Sequence, residues 1–164
     1  MKYYTGIGSR ETPPPVRTLM TRVAQRLAEL SYILRSGGAG GADIAFELGV
    51  GEELRKNIFL PWKGFNQNQS SLFFILPEAY EMAEQFHPNW DACSPAARKF
   101  HARNCYQVLG IDLKTPSDFV LCWTPNGKPV GGTGQALRIA THHKIPIVNF
   151  FDPNPLDRIA ELIA

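Results

Sequence analysis

The sequence predicts one doubly wound α/β domain, a mainly parallel sheet flanked by helices. Three observations carry this. A strand, a glycine-rich turn and a helix follow one another three times, at residues 2–30, 32–48 and 118–144. The helical stretches between apolar strands are long enough for right-handed crossovers, which parallel pairing requires. A chain of 164 residues, 44% hydrophobic and 20% charged, suits a single compact core.

Residues 2–7 read as the first strand, ending in Gly8-Ser9-Arg10. Thr12 then reads as a helix cap, with Pro13-Pro14-Pro15 in the first turn. In the helix that follows, Val16, Leu19, Met20, Val23, Leu27 and Leu30 recur at three- and four-residue spacing and form one apolar stripe. Residues 32–34 give a second strand, 35–41 a turn, 42–48 a second helix, and 57–60 a third strand. Between 63 and 93 the pattern loosens into Asn, Gln and Ser, an apolar run at 72–76, a helix at 77–86 and the turn-like His87-Pro88-Asn89-Trp90. This stretch reads as a lid-like insertion over the site. Ser94-Pro95 caps a helix running through Val108, residues 118–123 form an apolar strand, and Gly131-Gly132-Thr133-Gly134 opens a helix ending near Lys144. A strand at 145–150 and an amphipathic helix through Leu156, Ile159 and Ile163 complete the pattern.

A formal net charge of +2 is too small to predict wholesale attraction to nucleic acid or anionic membrane, so an anion site must be local. Cys93, Cys105 and Cys122 are three, widely spaced, and form no C-x-x-C. Neither a disulfide framework nor a zinc site is expected from them, and His87 and His101 have no ligand spacing with His142-His143. No metal, no resident cofactor and no membrane partner is expected. The first ten residues lack an apolar signal core, and the expectation is a cytoplasmic protein.

The three turns share a chemistry. A helix N-terminus presents backbone N–H groups without partners and a partial positive charge, and glycine lets a phosphate approach them. The candidates are Gly8-Ser9-Arg10 after Gly6-Ile7, the run Ser36-Gly37-Gly38-Ala39-Gly40-Gly41-Ala42-Asp43, and Gly131-Gly132-Thr133-Gly134. In a parallel sheet all three lie at one edge. None is a Walker A sequence or a G-x-G-x-x-G fingerprint, so neither ATP hydrolysis nor ordinary NAD redox chemistry is indicated.

In order along the chain, GIGSR, SGGAGGAD followed by FE, ARN and GGTGQA resemble the SLOG superfamily of Rossmann-like proteins. That superfamily includes the DNA-processing protein A group and the LOG phosphoribohydrolases. The resemblance leaves the 63–93 stretch unmatched. It implies that Gly8, Ser9 and Arg10 line one side of a phosphate or ribose pocket, Ser36 to Asp43 another, and Gly131 to Gly134 the floor. It also gives Arg103, followed by Asn104, as the counterpart of the catalytic arginine in the LOG enzymes. This chain has Gly40 where the DNA-processing group places an arginine, and Gln135 and Arg138 where the LOG enzymes place a catalytic glutamate.

Arg10 can clamp a phosphate bidentately or stand solvated in a loop. Asp43 can bind ribose hydroxyls or act as a general base, or simply favour the helix dipole. Glu47 is one helical turn on from Asp43, so the two carboxylates either share a site or lie on a solvated face. Trp62 and Trp90 border the loose segment and can stack on a base or pack a lid. The reading that follows is a protein that holds a small nucleotide at its glycine turns and hydrolyses its N-glycosidic bond, with Asp43, Glu47 and Arg103 as catalytic candidates. Its alternatives are a non-catalytic nucleotide sensor and a single-stranded DNA-binding module. Self-association stays open.

Overall fold

A computed structural model describes residues 1–52 and 54–164 of the chain. Five strands, β1 (Lys2–Gly6), β2 (Tyr32–Ser36), β3 (Lys56–Ile58), β4 (Phe119–Cys122) and β5 (Ile147–Asn149), pair throughout in parallel in the order β3-β2-β1-β4-β5. Six α-helices flank them among the described residues: α1 (Pro14–Glu29), α2 (Ala42–Val50), α3 (Pro77–Phe86), α4 (Pro95–Leu109), α5 (Gly131–His142) and α6 (Pro155–Ile163). The protein is a Rossmann-like α/β domain.

Alternation along the strands divides the core. Tyr4, Leu34, Phe119, Leu121 and Val148 point to the face covered by α1, α2 and α6, while Val120 and Cys122 point to the face covered by α3, α4 and α5. On the first face the rings of Tyr4 and Phe119 stack at 6.0 Å and Phe46 meets Tyr4 edge-on at 6.4 Å. Helix α1 delivers Met20, Val23, Ala24 and Leu27 to this cluster, the inner part of the stripe read from its spacing.

The chain runs from β1 outward to β2 and β3, returns across the sheet, and continues to β4 and β5 on the other side of β1. The order therefore reverses between β1 and β4. Connections leaving neighbouring strands in opposite directions open a crevice beyond their carboxyl ends, which is where doubly wound sheets hold ligands.

Two local expectations change. Thr12 does not cap α1: Pro13 occupies the cap position with no side-chain bond, and buried Thr12 instead donates from Oγ1 to Ser9 O at 2.6 Å. That bond closes the loop after β1. Ser94 does cap α4, accepting from Ala97 N at 3.1 Å.

The stretch 63–93 packs onto the edge of the sheet and onto two helices. Leu72 bridges Phe59 at the edge of the sheet, and α3 lies against α4 and α5 with Ala79 and Ala83 fully buried. Gln135 and Arg138 of α5 hold it there. Gln135 donates from Nε2 to Ala83 O at 2.8 Å, and Arg138 donates from Nε to Phe86 O at 3.0 Å and from Nη2 to Gln135 Oε1 at 2.7 Å. Both residues, which stand where the resemblance would place a catalytic glutamate, are spent on docking the insertion.

Candidate functional site

A cavity of about 490 Å³ occupies the β1/β4 crevice. That lies within the roughly 300–1,000 Å³ usual for small-molecule sites. Its wall is built from the ends of the central strands outward: Gly8, Ser9, Arg10 and Glu11 after β1, Ala39 and Asp43 after β2, Thr124 and Pro125 after β4, and Gly131, Gly132 and Thr133 at the start of α5. Helix α4 closes the side with Phe100, His101, Arg103, Asn104 and Gln107.

The first turn is fixed by its neighbours. Ile7 N donates to Leu121 O at 3.0 Å and Ser9 N to Trp123 O at 3.1 Å, continuing the β1/β4 ladder past the strand end. Ser9 O accepts from Ala42 N at 3.4 Å, so the first turn leans on the start of α2.

Among the described residues, none accepts from the first donors of the third turn. Gly134 is the first residue of α5 to return its N–H to the chain, to Val130 O at 3.0 Å. The N–H groups of Gly131, Gly132 and Thr133 precede that bond, at the positive end of a twelve-residue helix and on the cavity wall. An added Cβ would meet nothing at Gly131, and at Gly132 only Asn104 Nδ2 at 4.0 Å. Gly134 differs: a Cβ there would overlap Pro129 O, so this glycine serves packing.

The second turn is largely consumed by the protein. Ser36 donates from Oγ to Gly6 O at 2.6 Å, tying β2 to β1. A Cβ at Gly37 would overlap Gln107 Nε2 and stand 2.6 Å from Arg103 Nη1, and one at Gly41 would stand 2.5 Å from Ser9 O and 2.8 Å from Arg10 Cα. Gly38 O accepts from Asn66 Nδ2 at 3.0 Å. Ser36, Gly37, Gly38, Gly40, Gly41 and Gly134 are therefore near the cavity but do not form its wall. Gly40 faces open space.

Asp43 is where the second turn reaches the cavity. Its carboxylate accepts from Ala39 N at 3.3 Å, filling the place an external anion would take at this helix N-terminus. Burial pushes its carboxyl up to about 6, against the Arg103 guanidinium and the backbone N–H groups of Ala39, Gly37 and Gly8, which favour the charged form. It is thus poised near neutral pH.

Arg103 and Asn104, adjacent in α4, are both buried. Arg103 donates from Nη1 to Gly37 O at 2.6 Å and Phe59 O at 3.1 Å, and from Nε to Asn104 Oδ1 at 3.0 Å. Asn104 in turn donates from Nδ2 to Gly132 O at 2.9 Å. One dipeptide thereby sets the spacing of the second and third turns. Burial, together with the charge of Arg10, lowers Arg103 to about 10, with Asp43 acting in the opposite direction, so it stays cationic at neutral pH. With exposed Arg10 it makes the cavity attractive to an anion.

Several expected members lie elsewhere. Glu47 does not join Asp43: it pairs with Lys56 Nζ at 3.3 Å and accepts from Asn68 Nδ2 at 3.0 Å, one helical turn further from the cavity. The reason is the rise of about 6 Å along the helix between the two carboxylates, which carries Glu47 past the cavity to Lys56 of β3 and Asn68 of the 65–70 loop. Neither tryptophan reaches the wall. Trp62 packs edge-on against Phe65 and Phe100 at 5.4 and 5.2 Å, and Trp90 lies against His87 and under the Arg98 guanidinium. Phe100, which Trp62 supports, is the aromatic residue of the cavity wall.

Glu11, Phe100, His101, Gln107 and Thr124 are cavity residues that sequence reasoning missed. A signal existed for α4: Ala97, Phe100, Asn104 and Gln107 fall at helical spacing on the face that carries Asn104. The structure also gathers His87, Cys93 and His101, although no metal site is expected from the sequence. Packing of α3 against α4, joined by the His87–Cys93 connection, brings them together.

No protein-family model and no curated protein matches the chain. Among solved structures it is similar to DNA processing protein A from Helicobacter pylori, a single-stranded DNA-binding protein, at a TM-score of 0.59 and 21% identity. The match covers 98% of this chain and 72% of that one. No helix of the described residues is long and apolar enough to cross a membrane. At this identity the likeness is one of architecture: the chain has the Rossmann-like fold of DNA processing protein A.

Proposed function

We propose that the β1/β4 cavity binds a nucleotide through its phosphate. The observation that carries this is the unspent N–H row of Gly131–Thr133, facing Gly8–Arg10 across a cavity that also holds Arg103. In this reading the phosphate lies on the third turn and against Arg10, the ribose lies toward Asp43, and Phe100 supplies an apolar ring for the base. Asp43, poised between its two protonation states, accepts from ribose hydroxyls. Where turnover occurs, it activates water or stabilises the oxocarbenium-like ribose as the N-glycosidic bond breaks. Arg103 positions the turns. This agrees with the SLOG resemblance, and the displacement of the LOG glutamate by Gln135 leaves Asp43 as the acidic group on the cavity wall besides Glu11.

The test is calorimetric titration with a panel of nucleoside monophosphates, followed by chromatography for free base. Saturable one-site binding that Arg10→Ala weakens supports the reading, and binding to none of the panel removes it. Base release by the wild type and not by Asp43→Asn establishes turnover; no release, with Asp43→Asn altering affinity alone, makes the protein a binder.

The shared fold favours a second reading, in which the same turns hold the backbone of single-stranded DNA. Its signature is affinity that falls with salt at a log–log slope of about −0.7 per phosphate neutralised. Oligonucleotide binding that is absent, or insensitive to salt, excludes it.

A further inference from the structure

We propose that His87, Cys93 and His101 form a binding site for a single transition-metal ion of the zinc class. Their candidate ligand atoms all lie within 4.8 Å of one another. The Cys93 sulfur is 3.7 Å from His87 Nε2 and 3.8 Å from Nδ1, and the two imidazole rings are 4.4 Å apart between centroids. Bond lengths of about 2.3 Å to sulfur and about 2.0–2.1 Å to nitrogen place ligand atoms of a tetrahedral ion roughly 3.5 Å apart. The cluster needs to contract by about 1.3 Å at most to enclose one.

The donors come from three places in the fold. His87 ends α3, Cys93 ends the short turn at Trp90–Ala92, and His101 lies in the second turn of α4. His101 Nδ1 is buried without a hydrogen-bond partner, an unmet demand that coordination or a bridging group would satisfy. His87 Nδ1 accepts from Asn89 N at 3.0 Å, a local contact that the ring surrenders or keeps according to which nitrogen turns to the ion. Arg98 and Arg138 stand nearby and oppose a bare cation, and the Cys93 thiolate offsets them.

The position supplies both access and consequence. Cys93 borders a surface groove with Trp90 and Arg98, whereas His101 lines the nucleotide cavity. An ion here ties the insertion to α4 two residues before Arg103. Mixed imidazole–thiolate donors select zinc-like ions over magnesium or calcium, and three protein ligands leave the fourth position to water or a ligand. The site stands independently of the nucleotide reading.

Cobalt(II) titration of the full chain tests it. One equivalent should bind with a thiolate-to-cobalt charge-transfer band and intense tetrahedral visible bands, and zinc should displace it. Cys93→Ser should abolish the charge-transfer band, and Cys93→Ser and His101→Gln should each weaken zinc binding by at least about hundredfold with the far-ultraviolet dichroism unchanged. Zinc should raise the melting temperature of the wild type and not of Cys93→Ser. A wild type without the charge-transfer band, or zinc affinity equal in wild type and Cys93→Ser, overturns the proposal.

Discussion

The second and third glycine turns look alike in sequence and have opposite fates. Both follow a parallel strand and open a helix. In the second, Ala42 N–H is used by Ser9 O, Ala39 N–H by the Asp43 carboxylate, and Gly37 and Gly41 give room to Arg103, Gln107 and the first turn. In the third, Gly131–Thr133 keep their N–H groups and an added side chain would meet almost nothing. A glycine cluster thus marks a place where backbone must come close to something. Whether that is protein or ligand is told by what a Cβ would meet.

The sharpest way to break the comparison is to add that Cβ. Gly41→Ala places a methyl against Ser9 O and Arg10 Cα at a backbone φ of +80°, so overpacking and left-handed strain add to about 4 kcal/mol of lost stability. A denaturant midpoint unchanged from the wild type would show that the first two turns are not in contact.

Asp43→Asn comes next. Because folding raises this carboxyl from 3.8 to about 6, the folded state holds the proton more tightly, and the stability it contributes is lost as pH rises from about 4 through 6. At pH 8 the substitution should stabilise the fold by up to about 3 kcal/mol and flatten the pH profile over that window. Urea unfolding at pH 4, 6 and 8 measures this. A destabilised variant at pH 8 would mean that the internal carboxylate–amide contacts outweigh burial.

Gly132→Ala separates binding from folding. Its melting temperature should stay close to that of the wild type, since the position is open and alanine favours helix by up to about 1 kcal/mol. Its affinity for a nucleoside monophosphate should fall about tenfold or more, because the methyl stands between phosphate and amides. Equal affinity would move the ligand off the third turn. The smallest effect on the fold belongs to Gly40→Arg, within about 0.5 kcal/mol because the site is open. Tighter, more salt-dependent binding of single-stranded DNA by this variant would identify Gly40 as a missing backbone contact.

Much of the fold was legible. The expected helix at 77–86 coincides with α3, and each expected strand contains or overlaps an observed one, because burial on both faces leaves short apolar runs between turn residues. Thr12 was misread, since a threonine before proline satisfies the cap pattern whether its hydroxyl turns to the helix or, as here, back to Ser9. How the insertion packs was not legible, because its contacts rest on two small residues, Ala79 and Ala83, that carry little signal. Glu47 and the two tryptophans had plausible spacing or location, but their partners, Lys56, Asn68, Phe65 and Arg98, come from other elements.

By itself the sequence determined the parallel α/β architecture and the three glycine turns at one sheet edge, because periodicity and turn chemistry are local properties of the chain; the Arg103-Asn104 pair rested on the resemblance. Only the tertiary structure decided that the second turn is filled by Asp43, that the third is open, that Gln135 and Arg138 serve the insertion, and that His87, Cys93 and His101 meet. Each of those depends on which backbone N–H, carbonyl or side chain another element brings within about 3–4 Å, a distance that no linear spacing encodes.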